Sequence, residues 1–150
     1  MNPESLKWFT DHKRLRVVTP PDLDRRHVLA DFIYTQPRTS TVVIVAKRAD
    51  FKGWAEQMTA HARRTPDTIH LITPDGLRND CGMLGYIHTL IIDETLSGPA
   101  SWRSVRIAAK QAERVIALNC EVSDFFQAVG EHKNAVFLPV GPTGFALSSK

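Results

Sequence analysis

Cysteine is nearly absent from the 150 residues: Cys81 and Cys120 are the only two, and they form no CxxC pair. A disulfide scaffold is therefore excluded. Long apolar runs are missing as well. The longest, Thr41 to Ala46, falls far short of the roughly 20 residues that span a bilayer, so no membrane partner is expected. The opening stretch, MNPESLKWFTDHKRL, has no continuous apolar h-region; no secretory signal is expected, and a soluble protein of a reducing, cytoplasmic compartment is the reading. The chain has no internal repeat, low-complexity segment or convincing linker. It has no GxSxG elbow, and no GxGxxG follows a strand pattern; α/β-hydrolase and dinucleotide chemistry lack their fingerprints. Six scattered histidines show neither HxH nor HExxH spacing, and read as surface residues rather than metal ligands. Neither cysteine has a histidine neighbour to activate it, and both read as structural. No cofactor is expected.

What is present describes an ordinary globular chain, 43% hydrophobic and 23% charged. A chain of this length buries roughly two-thirds of its unfolded surface without a covalent staple; disorder, collagen and coiled coil are poor readings. The net charge is +3, and the surplus is uneven. Residues 1–75 hold 12 basic and 9 acidic side chains, residues 76–150 seven of each. The excess comes in pairs such as Lys13-Arg14, Arg25-Arg26, Lys47-Arg48 and Arg63-Arg64. Such mild basicity does not argue for nucleic acid by itself.

Short apolar runs alternate with amphipathic stretches. Leu15 to Val18 reads as a strand ended by Thr19-Pro20-Pro21-Asp22, and Leu23 to Tyr34 as a helix with Asp22 as candidate N-cap. The β-branched run Thr41 to Ala46 suits a strand covered on both faces. Phe51 to Arg63 places Phe51, Trp54, Ala55, Met58 and Ala62 at helical spacing, with Trp54 and Met58 read as core. Thr68 to Ile72 is strand-like and Pro74-Asp75-Gly76 interrupts it. Ile87 to Ile92 is a second buried strand. Ser101 to Glu113 suits a helix, Val115 to Leu118 a strand, Ser123 to Val129 a short helix and Ala135 to Val140 a last strand. Strands separated by helices imply an α/β three-layer sandwich with a mainly parallel sheet. The expectation is one domain over 1–150, with 1–13 as an N-terminal extension and 141–150 as loop and tail.

Parallel sheets gather ligands at strand carboxyl ends. Here Ile91-Ile92-Asp93-Glu94 brings two carboxylates out of a buried strand. Carboxylates in that position serve a divalent metal or an activated water, or they cap a helix or pair with a basic neighbour. In the metal reading Asp93 and Glu94 are the catalytic ligands of a nuclease or phosphohydrolase, with Asp22, Asp24 or Asp75 as a further carboxylate.

The order of these features resembles the first motor domain of superfamily-two, DEAD-box-like helicases over roughly residues 14–140. IHTLIIDET is similar to their strand ending in the DExx box, HLITPDGLRND to the TPxRL segment, and TVVIVAKRADFKGWAEQM to the strand and helix of motif Ia; RVIALNC stands where the family has Ser-Ala-Thr. The resemblance implies a helicase-like P-loop-NTPase topology and backbone contacts to nucleic acid from Lys47, Arg48, Lys52, Thr73 and Arg78. Arg103, Arg106 and Lys110 add one basic helix face, with a solvated face as the plain alternative. The departures matter more. A P-loop needs glycine amides and a lysine, whereas TPPDLDRRHVL has neither. Asp22 and Asp24 there would repel triphosphate, and Arg25 or Arg26 near the lysine position is no equivalent. Leu118-Asn119-Cys120 loses the hydroxyls of Ser-Ala-Thr, and no second motor domain is expected. The expectation is a degenerate module, without ATPase or helicase activity, that binds DNA, RNA or a protein of replication, repair or transcription; a viral or mobile-element origin would suit it. A metal-dependent nuclease and a purely structural assembly module are the alternatives.

Overall fold

Thr41–Val45 forms β2, and its burial explains its composition: Val42, Val43, Ile44 and Val45 are all at most 1% exposed, so both faces of the strand are covered. The computed structural model describes residues 3–20, 24–37, 39–60, 68–93, 99–140 and 144–148. The other strands are β1 (Arg14–Val18), β3 (Thr68–Ile72), β4 (Ile87–Asp93), β5 (Ala112–Leu118), β6 (Lys133–Val140) and β7 (Gly144–Ser148). They form one sheet in the order β3-β2-β4-β5-β1-β6-β7. The first six are parallel, and β7 closes the edge as an antiparallel partner of β6. This is the expected three-layer α/β sandwich with a mainly parallel sheet.

The helices are α1 (Pro3–Asp11), α2 (Arg25–Ile33), α3 (Phe51–Ala60), α4 (Pro74–Asp80), α5 (Pro99–Ala109) and α6 (Val122–Val129). Alternation along the strands splits the core in two. On one face Leu15, Val42, Ile44, Ile91 and Ile116 pack with Phe9 of α1, Leu29 and Phe32 of α2, and Trp54 and Met58 of α3. On the other, Val43, Leu90, Ile92 and Val115 pack with Leu77 of α4, Trp102 and Val105 of α5, and Phe125 of α6. The chain steps from β1 to β2 to β3 in one direction with its helices on the first face. It then steps from β3 through β4 and β5 to β6 the other way, with its helices on the second. That is the arrangement right-handed crossovers require. It also sends the chain to opposite faces after the neighbouring strands β2 and β4, which opens a crevice between their carboxyl ends.

Several elements differ from the sequence expectation for identifiable reasons. The presumed N-terminal extension contains α1, whose Phe9 is fully buried against Phe32 and Phe137 at 5.7 and 6.1 Å between ring centroids. The presumed tail contains β7. Pro74-Asp75-Gly76 does not end in a turn but opens α4: Thr73 is its N-cap and Pro74 its first residue, where a missing N–H costs nothing. The N-cap of α2 is Asp24, whose carboxylate accepts the Arg26 N–H at 3.0 Å; Asp22 lies outside the described residues. At the far end of α6, Gly130 adopts φ 77°, a backbone region open mainly to glycine, and the helix ends there.

Two arginines on neighbouring strands tie the layers together at the amino ends. Arg14 of β1 donates to the carbonyls of Ala109, Ala112, Glu113 and Lys13, so it satisfies the end of α5. Arg114 of β5 donates to Phe9 and His12 carbonyls at 2.8 and 3.3 Å at the end of α1, and lies over the Phe32 ring at 5.7 Å. Cations at helix carboxyl ends also complement the helix dipole. Burial, and for Arg14 the neighbouring charge of Arg114, lowers both guanidinium pKa values, yet arginine stays protonated throughout the neutral range. Among the described residues no helix is long and apolar enough to cross a membrane.

Candidate functional site at the strand carboxyl ends

The crevice between β2 and β4 is floored by Asp93, the last residue of β4, with 0% of its surface exposed. A fully buried carboxylate is tolerated only when its charge is neutralised and its oxygens are hydrogen-bonded. Both conditions are met here. Arg25, the first residue of α2, presents its guanidinium fork: Nε donates to Oδ1 and Nη2 to Oδ2, the latter at 3.3 Å. The Trp54 indole Nε1 of α3 donates to Oδ2 at 2.8 Å. Trp54 is thus core, as its spacing implied, and also a fixed donor to the site.

A second carboxylate joins the cluster. Asp50 ends the short 3-10 turn Arg48–Asp50 that links β2 to α3. Its oxygens lie 3.6 Å from Arg25 Nη2 and 3.8 Å from Arg26 Nη1, and Arg26 Nε lies 3.4 Å from Asp24. A Cβ on Gly53 would stand 2.6 Å from the Arg26 Cζ, so the absence of a side chain there lets Arg26 lie across α3. Two cations and three carboxylates therefore alternate over the crevice, and Arg25 bridges two of the acids. Asp24, Arg25, Arg26 and Asp93, drawn from the start of α2 and the end of a strand far apart in sequence, do converge; Asp50, not singled out from sequence, and Trp54, read there as core alone, complete the group. The signal for Asp50 was its place in KRADFK, one acid among cations just beyond a buried strand.

Glu94 and Asp22 lie outside the described residues. For the remaining acids of the metal reading, Asp24 faces Arg26 and Asp75 pairs with Arg78. Among the described residues no group of three His, Cys, Asp or Glu side chains is placed to hold a metal ion. At the neighbouring strand end Asn119 adopts φ 54° and clasps Thr19: its Oδ1 accepts the Thr19 N–H at 2.9 Å and its Nδ2 donates to Thr19 Oγ1 at 2.9 Å. Asparagine is among the few residues that visit this conformation readily. Cys120 beside it is pushed up to about 11 by burial, which outweighs the nearby charge of Arg16. At neutral pH it is a thiol, and a poor nucleophile.

The basic candidates fall into two groups on opposite layers of the sandwich. Lys47 and Arg48 are exposed on the turn leading to Asp50, with Arg48 5.9 Å from the Phe51 ring centroid. Lys52 is 87% exposed on its side chain and sits 4.0 Å from Glu56. On the other layer, Thr73 is occupied as the cap of α4, accepting the Gly76 N–H at 3.1 Å. Arg78 pairs with Asp75 and donates to Ser101 at 3.0 Å, joining α4 to α5. Arg103 and Arg106 on α5, and Lys110 just beyond its end, are exposed. Arg103 and Arg106 border a groove of about 230 Å³ between α5 and α6, with Trp102 and Asp124. No protein-family model matches the chain, and no curated protein matches it in sequence.

Proposed function

We propose that this chain is a helicase-like module that binds nucleic acid, or a protein that handles it, without hydrolysing ATP. The observation that carries the reading is the Arg25–Asp93 pair. In a nucleotide-driven motor the acidic end of this strand faces a magnesium ion and its phosphates. Here a guanidinium already satisfies both carboxylate oxygens, and an indole N–H occupies a further lone pair. A magnesium–nucleotide complex would have to break a desolvated ion pair to enter. Just outside the closed crevice, Lys47 and Arg48 remain exposed to a phosphate backbone. Contacts of this kind give salt-dependent, sequence-independent affinity.

The test is fluorescence anisotropy with single- and double-stranded DNA and RNA over a salt series. Binding should weaken steadily with salt. Lys47→Ala and Arg48→Ala should each lower affinity to a similar degree for all sequences and reduce the salt slope by about one, and Arg106→Ala, on the opposite layer, should have the smaller effect. Sequence-selective loss, or no binding to any of the four probes even at low salt, would overturn the nucleic-acid reading.

A further inference from the structure

A second cavity, of about 650 Å³, opens at the amino ends of β1 and β6, the end of the sheet opposite Asp93. Two runs of like chemistry border it, residues 11–14 (DHKR) and 131–134 (EHKN), each bringing an acid, a histidine and a lysine to the start of a strand. The register pairs Leu15 with Lys133 and Arg16 with Asn134, so the two runs lie side by side. α6 supplies an apolar wall. Its Val122 and Phe126, one turn apart, remain 46% and 54% exposed although Phe125 between them is fully buried. α6 is the last helix on this face among the described residues.

We propose that this groove docks an acidic segment of a partner protein, with an apolar side chain of that segment seated on Val122 and Phe126. Half-exposed large apolar side chains side by side on one helix face form the kind of patch that marks an interaction surface, and an aromatic at its centre is the usual anchor. Charge selects the occupant. Lys13, Arg14 and Lys133 outnumber Asp11 and Glu131 along the groove. Arg16 stands behind Asn134, bonded to its Oδ1 at 2.9 Å. Arg14 and Arg16 commit their guanidinium groups to main-chain carbonyls and Asn134 and add positive potential from behind, so the exposed Lys13 and Lys133, which make no ion pair among the described residues, are the cations open to a ligand. A nucleic-acid backbone, charged at every step, would have to pass Asp11 and Glu131. A peptide can set its carboxylates against the lysines alone. The surface is independent of the crevice at the other end of the sheet.

The experiment measures anisotropy of a short fluorescein-labelled peptide of Asp, Glu, Leu and Phe. Its controls are the same peptide with Lys for each acid, the same with Ser for Leu and Phe, and a single-stranded oligonucleotide. The acidic apolar peptide should bind and both peptide controls should not. Phe126→Ser, and separately Lys13→Glu with Lys133→Glu, should weaken binding by about tenfold or more while far-UV circular dichroism stays unchanged, since these side chains are exposed. Arg106→Ala should leave peptide binding as it is. Equal binding of the acidic and basic peptides, no effect of Phe126→Ser, or oligonucleotide binding that depends on Phe126 would each overturn the proposal.

Discussion

The two ends of the sheet handle buried charge in opposite ways. At the carboxyl ends, Asp93 is matched by the guanidinium of Arg25, and Asp50, Arg26 and Asp24 extend the alternation outward. At the amino ends, Arg14 and Arg114 sink their guanidinium groups among carbonyl oxygens that would otherwise end α5 and α1 unsatisfied. One end is a closed electrostatic circuit around an acid. The other is held by neutral acceptors and leaves lysines free at the rim. The difference explains why the position that looks most like an active site is the less accessible one, whereas the open groove lies where no chemistry was expected from the sequence.

The comparison is broken most severely by Arg25→Ala, which leaves the Asp93 charge buried with the indole as its one other donor among the described contacts. The variant should lose about 3 kcal/mol in urea unfolding, and adding Asp93→Asn should restore much of it, because the double variant no longer buries a charge. Trp54→Phe keeps the ring's burial and removes the indole donor to Asp93 Oδ2; a loss of about 2 kcal/mol is expected by the same measurement. At the other end, Arg14→Ala should cost about 1 kcal/mol. A double-mutant cycle with Asp93→Asn should show no coupling, since the two sites share no partner. Coupling of Arg14 to Asp93 as strong as that of Arg25 would erase the distinction between the ends.

A smaller effect sharpens it. His88, half-buried on β4, is held below the ordinary histidine range, chiefly by burial and against the pull of Glu113. The unfolded chain therefore takes up a proton at a higher pH than the folded one. Stability should begin to fall as pH drops below the unfolded value of about 6.5, and keep falling towards the lower folded value. Comparing urea midpoints at several pH values between neutrality and mild acid checks this, with His88→Gln expected to flatten the slope over that window.

Much of the fold was legible because burial on both faces writes itself into composition: β2 and β4 are β-branched runs with no amphipathic alternation to confuse them. α4 was hidden because Pro-Asp-Gly reads as a turn until Thr73 is seen capping the helix it begins. α1 and β7 depend on partners distant in sequence, Phe32 and Phe137 for the one and the β6 ladder for the other, which no local pattern announces. The same limit governs the site. Asp93 and the pair Arg25-Arg26 could be picked out at strand ends, but that Arg25 reaches Asp93 follows from the strand order, and Trp54 became a donor only when α3 was laid across β4. The seven basic candidates and Thr73 had no local reason to separate, yet the two directions of crossover put them on different layers.

Calorimetric titration of the protein with magnesium–ATP bears most directly on the closed crevice. The Arg25–Asp93 pair predicts no binding heat for the native chain at any concentration up to the millimolar range. Micromolar binding of magnesium–ATP that is abolished by Asp93→Ala would contradict it.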